Sequence, residues 1–144
     1  MAPGVERPET LSRSPFDPEL PAFFSWLGVT YYLQREHLLM SLRGLGGAAA
    51  PRSLLVSDYL DVEAFVPGKA TTQVRKLPER VRWMGEPMKA GLDPEALEKE
   101  RMGAGRRLQM NLCAEDIEEF CFRGRAEGFR VGKHLHLALA VLRG

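Results

Sequence analysis

Residues 21–33, PAFFSWLGVTYYL, constrain the fold more than any other stretch of this chain. Residues 22–29 are an almost continuous apolar run the length of one strand, interrupted only by Ser25. Such a run has no side to offer water, so it predicts a strand covered on both faces, as in a parallel sheet. Gly28, near its end, suits a chain turning over the carboxyl edge of a sheet, where side-chain bulk is poorly tolerated. Residues 34–45 then place Leu38, Leu39, Leu42 and Leu45 at helical spacing, giving one apolar stripe. Gly46 and Gly47 are expected to end that helix. Residues 53–59, SLLVSDY, are short, apolar and bounded by turn formers, and predict a second parallel strand. Strand, helix and strand with short connections make a βαβ unit, whose crossover is right-handed.

The flanks read less regularly. Residues 1–20 hold Pro3, Pro8, Pro15 and Pro18, too close together for a regular element, and predict an irregular segment with one helical turn around residues 9–14. Residues 21–144 form the folded part. Within it, residues 70–84 predict a helix that Pro78 kinks or splits. Asp93-Pro94-Glu95 opens the clearest helix, with Asp93 as N-cap and Pro94 as first helical residue, running to about Met102 and stopping at Gly103. Residues 106–112 predict a strand, residues 114–122 a short acidic helix, and residues 134–142, HLHLALAVL, a terminal strand.

Composition narrows the function classes. A net charge of +1, with arginines spread among acids, leaves no basic stripe for nucleic acid. No apolar run approaches the roughly 18 residues of a membrane span. The N-terminus, MAPGVERPET, carries acids and prolines where a signal peptide needs an apolar stretch. Cys113 and Cys121 have no CxxC pairing, which favours two free thiols in a cytoplasmic protein over a disulfide. His134 and His136 share one face of the last strand, but two imidazoles without a third ligand do not make a metal site.

Four phrases occur in order: FDPELPAFFSWLGVTYYLQRE, LVSDYLD, GEPMKAGLDPEAL and FRGRAEGFR. With their spacing they resemble the leucine carboxyl methyltransferase-like family of S-adenosylmethionine-dependent methyltransferases, from about Glu9 to the end of the chain. The resemblance implies an α/β fold: the C-terminal half of a class I, Rossmann-like methyltransferase sheet, strands four to seven, with the last strand antiparallel and inserted beside the fifth. It also implies S-adenosyl-L-methionine as methyl donor and methyl transfer to an oxygen, a carboxylate if the analogy extends that far.

Three departures matter. The family holds its donor mainly through a Gly-rich turn after the first strand and acidic residues after the second and third, and no GxG stands upstream of Phe23. Leu27-Gly28 stands where many members have Glu-Gly, and Glu127 where the GR-(A/T)-DG phrase commonly has Asp. The expectation is an apparently truncated enzyme, lacking the main donor-binding half. The alternative is a non-catalytic remnant or half-enzyme that pairs with a separate N-terminal chain, or self-associates through the exposed edge of strand four. A third possibility is a degenerate protein kept for binding alone.

Methyl transfer from a sulfonium asks the protein to align, desolvate and hold rather than to do extensive acid–base work. In a sheet of this kind that happens at the carboxyl ends of the strands. The resemblance therefore assigns Leu27, Gly28, Val29 and Thr30 to the donor, and Tyr31, Asp58, Tyr59, Arg123 and Arg125 to a small-molecule or carboxylate-bearing acceptor. Asp58 could orient a substrate or cap the turn after its strand. Arg123 and Arg125 could fork onto a carboxylate or pair with Glu118, Glu119 and Glu127. No residue of the sequence identifies itself as catalytic.

Overall fold

The computed structural model describes residues 9–69, 91–99, 102–103, 106–128 and 130–142. The helix expected over residues 70–84 lies outside these. A one-turn helix α1 (Glu9–Ser12) precedes β1 (Phe23–Trp26), α2 (Arg35–Ala48), β2 (Ser53–Leu60), α3 (Pro94–Lys99), β3 (Met102–Gly103), β4 (Arg106–Leu112), α4 (Ala114–Ile117) and β5 (Leu135–Leu142). Short 3-10 turns follow β1 and β2, and a π turn, Glu118–Phe122, extends α4.

The sheet order is β1-β2-β5-β4-β3. β1 and β2 are parallel, while β5 runs antiparallel between β2 and β4. The last strand is therefore inserted beside the second long one, the four-five-seven-six order of the expected half-sheet. β3 adds two residues to the far edge, and a bulge between Leu108 and Met110 resets the β4 register. Strand ends follow from this order. Because β4 is parallel to β2, the segments leaving β1, β2 and β4 and the segment entering β5 all lie on one edge.

Alternate residues of β2 face opposite sides, as the pleat requires. Leu55 packs with Leu45, Ala49 and Leu142, with Phe24, Trp26 and Leu42 around them, so α2 covers this face. Tyr59, Leu108 and Ala138 continue the face under Leu92 and Leu97, which brings α3 beside α2. Across the sheet, Leu60 and Ala64 pack with Tyr31 and Leu135. Ser53, fully buried, ties two connections together: its hydroxyl donates to the Ala50 carbonyl at 2.7 Å and accepts from the Ala22 N–H at 3.0 Å. Gly91 lets residues 91–92 run against the end of β2, since a Cβ there would stand 2.7 Å from the Asp61 carbonyl oxygen.

Several expectations need correction. The strand expected over residues 22–29 stops at Trp26, and Phe23 is 65% exposed. Among the described residues it is an edge strand, covered by α2 on one side, so its apolar run does not report burial on both faces. Gly46 and Gly47 do not end α2, which continues to Ala48, with the Ala49 N–H closing onto Leu45 at 2.9 Å. Packing of Leu45 and Ala49 against Leu55 and Leu142 outweighs the local cost of two glycines. α3 ends at Lys99, short of the expected Met102, because Met102 and Gly103 pair with Arg107 and Arg106. The acidic helix keeps α geometry only to Ile117 and then widens into the π turn. Both cysteines are free.

Candidate functional site at the carboxyl edge of the sheet

Where β1 ends, the chain turns at Gly28 with φ of +73°, a left-handed conformation that residues with a Cβ adopt at a cost. This turn aims the Gly28 N–H at Asp58, whose Oδ1 accepts it at 2.8 Å. The Thr30 hydroxyl donates to the Asp58 carbonyl at 2.7 Å, and Thr30 is buried. Two bonds thus clamp the 27–32 loop onto the end of β2. Leu27, just before the first anchor, and Val29, between the two, point outward at 57% and 37% exposure and rim the shelf. The Tyr31 hydroxyl lies close by, 3.6 Å from where a Gly28 Cβ would be, with its ring 5.0 Å from that of Tyr32.

Electrostatics at the shelf follow from partial burial. Burial pushes the Asp58 carboxyl above its ordinary value, opposed by the Gly28 N–H. Burial also raises Tyr31, helped by the Asp58 charge and by Tyr32. The raised folded-state value means that the folded chain holds the Asp58 proton more tightly than the unfolded chain does. The ionised carboxylate therefore opposes folding at neutral pH. That penalty is relieved as pH falls through the folded value, and is gone below the unfolded value near 3.8. Asp58→Asn keeps an oxygen for Gly28 and removes the charge. Urea unfolding across this window is expected to find the variant at least as stable as wild type at neutral pH, with the difference closing on acidification.

The other residues assigned from sequence are placed differently. Tyr59 is 1% exposed and points to the opposite face from Asp58, with its hydroxyl donating to Asn111 Oδ1 at 2.7 Å and its ring stacked on His136. Arg123 and Arg125 lie beyond α4, in an open groove of about 540 Å³ lined also by Glu115, Glu118, Glu119 and Arg130. Arg123 pairs with Glu119 one helical turn earlier, and Arg125 lies over the Phe122 ring at 5.8 Å. Leu27, Gly28, Val29, Thr30, Tyr31 and Asp58 come together at one shelf; Tyr59, Arg123 and Arg125 do not join it. Behind the shelf, a cavity of about 50 Å³ lies between the sheet and α2, bordered by Trp26, Thr30, Tyr59 and Leu92.

A second constellation was not anticipated. Asp61, just past β2, accepts from His134 Nδ1 at 3.0 Å (Oδ1) and from His136 Nε2 at 3.2 Å (Oδ2). Its Oδ1 also caps the following turn through the Ala64 N–H at 3.2 Å. The signal was present: an aspartate closing one strand and His-x-His opening the strand that pairs with it. Among the described residues no group of three or more His, Cys, Asp or Glu is arranged to hold a metal ion. No helix among them is long and apolar enough to cross a membrane.

Comparison with known proteins agrees with this architecture. No protein-family model matches the chain. Its sequence is 29% identical over 119 residues to the Bacillus subtilis (strain 168) protein named "Putative S-adenosyl-L-methionine-dependent methyltransferase YktD", an overlap covering 83% of this chain and 39% of that one. In fold it is similar to a DUF574 family protein from Streptomyces avermitilis MA-4680, with a TM-score of 0.61 and 17% identity, over 88% of this chain and 46% of that one. It is also similar to a chain from the "Complex between the Haloferax volcanii Trm112 methyltransferase activator and the putative methyltransferase", with a TM-score of 0.52 and 13% identity, over 91% of this chain and 58% of that one. The chain spans about two fifths of the curated relative and less than half of the first of these structures. It has an α/β, partial Rossmann-like fold, and it is similar in sequence to part of a protein named as a methyltransferase.

Proposed function

We propose that this chain forms one wall of an S-adenosylmethionine-dependent methyltransferase site, with transfer to an oxygen, and to a carboxylate if the likeness to leucine carboxyl methyltransferases extends to the acceptor. The observation that carries the reading is the coincidence of two independent features. Similarity to YktD runs over most of the chain, and the one left-handed glycine between β1 and α2 is bonded to an aspartate at the end of β2. That is the carboxyl edge at which open α/β sheets take their ligands. The residues present fit one side of a donor site. Gly28 leaves the backbone bare, Leu27 and Val29 offer apolar contact, and Tyr31 offers a hydroxyl. The donor, when bound, supplies an activated methyl group. The shelf's part is to hold and align, with Asp58 fixing the loop that does so.

A second reading is favoured by β1. It is the edge of the sheet among the described residues, Phe23 is 65% exposed on it, and the curated relative extends well beyond the matched length. A strand edge of this kind is a template for another chain. A separately encoded N-terminal half would complete both sheet and site; a second copy would give self-association. Calorimetric titration with S-adenosylhomocysteine tests the first reading. One-site binding is expected, weakened about tenfold or more in Asp58→Ala, where the Gly28 clamp is lost. Binding seen only after a chain of the missing length is added would favour the second. Its absence under both conditions would exclude donor binding.

A further inference from the structure

We propose that Asp58 has a second task at the shelf: its free oxygen, Oδ2, takes the proton of the methyl-accepting group, which therefore arrives as a neutral hydroxyl on an apolar body. The inference rests on the methyl-transfer reading and narrows its acceptor. A carboxylate is already ionised at neutral pH and has no proton to give.

A carboxylate offers two oxygens, and the clamp uses one. Oδ1 accepts from the Gly28 N–H at 2.8 Å, while the Thr30 hydroxyl goes to the backbone carbonyl of Asp58 and not to its side chain. Among the described residues no hydrogen bond or ion pair engages Oδ2. Nor is Oδ2 sealed off. The one buried side-chain nitrogen or oxygen without a partner among these residues is His134 Nε2, so Oδ2 faces open space. The Tyr31 hydroxyl is in the same condition, 3.6 Å from where a Gly28 Cβ would stand. An acceptor and a donor, both free, thus lie beside one bare glycine.

Charge decides which group can dock there. The influences that lower the Asp58 carboxyl are backbone N–H groups, of Gly28 and of Asp58 itself; burial outweighs them, and no cation is among them. The carboxylate is left short of compensation and ready to take a proton. A second carboxylate would meet a like charge in a half-buried place. A hydroxyl brings no charge and donates to Oδ2. It can accept from Tyr31 through one lone pair while another faces the methyl group. Exposed Leu27 and Val29 rim the shelf. The turn after β2, whose Ala64 joins Leu60 in the cluster on which Tyr31 packs, adds exposed Phe65 and Val66. An apolar body suits those surroundings.

In the step, the acceptor oxygen bonds the methyl carbon as the carbon–sulfur bond breaks. That bond's electron pair goes to sulfur and cancels its positive charge. The hydroxyl becomes strongly acidic as its oxygen gains the carbon, so a carboxylate is base enough. Its proton passes to Oδ2, the O–H electron pair stays on oxygen, and the neutral carboxyl returns the proton to solvent. Oδ1 keeps Gly28 in place throughout.

The test uses the whole chain, carbon-13 labelled at its aspartate carboxyls and saturated with S-adenosylhomocysteine. Three probes share one ring: benzyl alcohol, benzoate and benzylamine. Benzyl alcohol is expected to shift the Asp58 carboxyl signal saturably at neutral pH, and benzoate to leave it unmoved. Asp58→Asn separates the two tasks, because its amide oxygen can still accept from Gly28 while its nitrogen replaces Oδ2. In that variant S-adenosylhomocysteine affinity is expected to hold, benzyl alcohol affinity to fall about tenfold, and benzoate to bind more tightly than to wild type. A merely structural role would move S-adenosylhomocysteine together with the probes. Benzyl alcohol bound equally by Asp58→Asn and wild type, or a shift with benzoate or benzylamine and none with benzyl alcohol, would overturn the proposal and leave methyl transfer standing. Failure of S-adenosylhomocysteine to bind would remove both.

Discussion

Replacing Leu142 with alanine is expected to cost about 2–5 kcal/mol of stability, the range for large-to-small changes at closed sites. Leu142 is 0% exposed and sits among Leu45, Ala49 and Leu55, with Phe24, Trp26 and Leu42 around them. The side chain thus joins β5, α2 and β2, and its strand pairs on both sides, to Ser53 and to Arg106. Little of this surrounding can collapse into the hole, because α2 is held at its end by the Ala49 N–H and β2 at its start by Ser53. Urea unfolding measures the loss. Leu20→Ala, at a position 61% exposed, is the control and is expected to stay within about 0.5 kcal/mol of wild type. A Leu142 variant no worse than the control would mean that α2 does not pack on this face.

Much of this framework was legible because the strands announce themselves. SLLVSDYL and LHLALAVL are β-rich runs bounded by turn formers, and both appear within a residue of the expected place. The order of the sheet came from the resemblance, not from periodicity. What local pattern could not supply was context. The glycines at 46 and 47 look like a helix stop, yet the helix packs through them because its last turn covers the Leu55–Leu142 core. The apolar run ending at Val29 looks doubly buried, yet it belongs to an edge, and its last residues turn outward once Gly28 goes left-handed.

The site divided in the same way. Gly28, Thr30 and Asp58 come together because each lies near the end of its strand, at the edge where open sheets take ligands. Tyr59 stands apart by one pleat: neighbours on a strand face opposite sides, so its side chain lies away from that of Asp58. Arg123 and Arg125 were chosen for their chemistry, while a Glu one turn before Arg123 was the better guide to where it points. The histidines were dismissed singly. Asp61 lies 73 residues from His134, and only strand pairing makes the two neighbours.

Removing the Asp61 carboxylate is the second large effect. Asp61→Ala is expected to cost about 2–4 kcal/mol, because a buried polar group left without its partner loses its full solvation and regains nothing. Three donors face that carboxylate: His134 Nδ1, His136 Nε2 and the Ala64 N–H. His134, at 2% exposure and with Nε2 already lacking a partner, would have neither ring nitrogen bonded and no route to water without opening the β5 end. Ala64 loses the cap of a turn that packs on Leu60. Asp61→Asn should lose less, about 1–2 kcal/mol, since one oxygen can still accept while its amide nitrogen faces a donor. The order Ala worse than Asn, read by urea unfolding at neutral pH, distinguishes loss of acceptors from loss of charge. Equal losses would make the negative charge of Asp61, and not the number of acceptors it offers, the dominant contribution at the sheet's carboxyl edge.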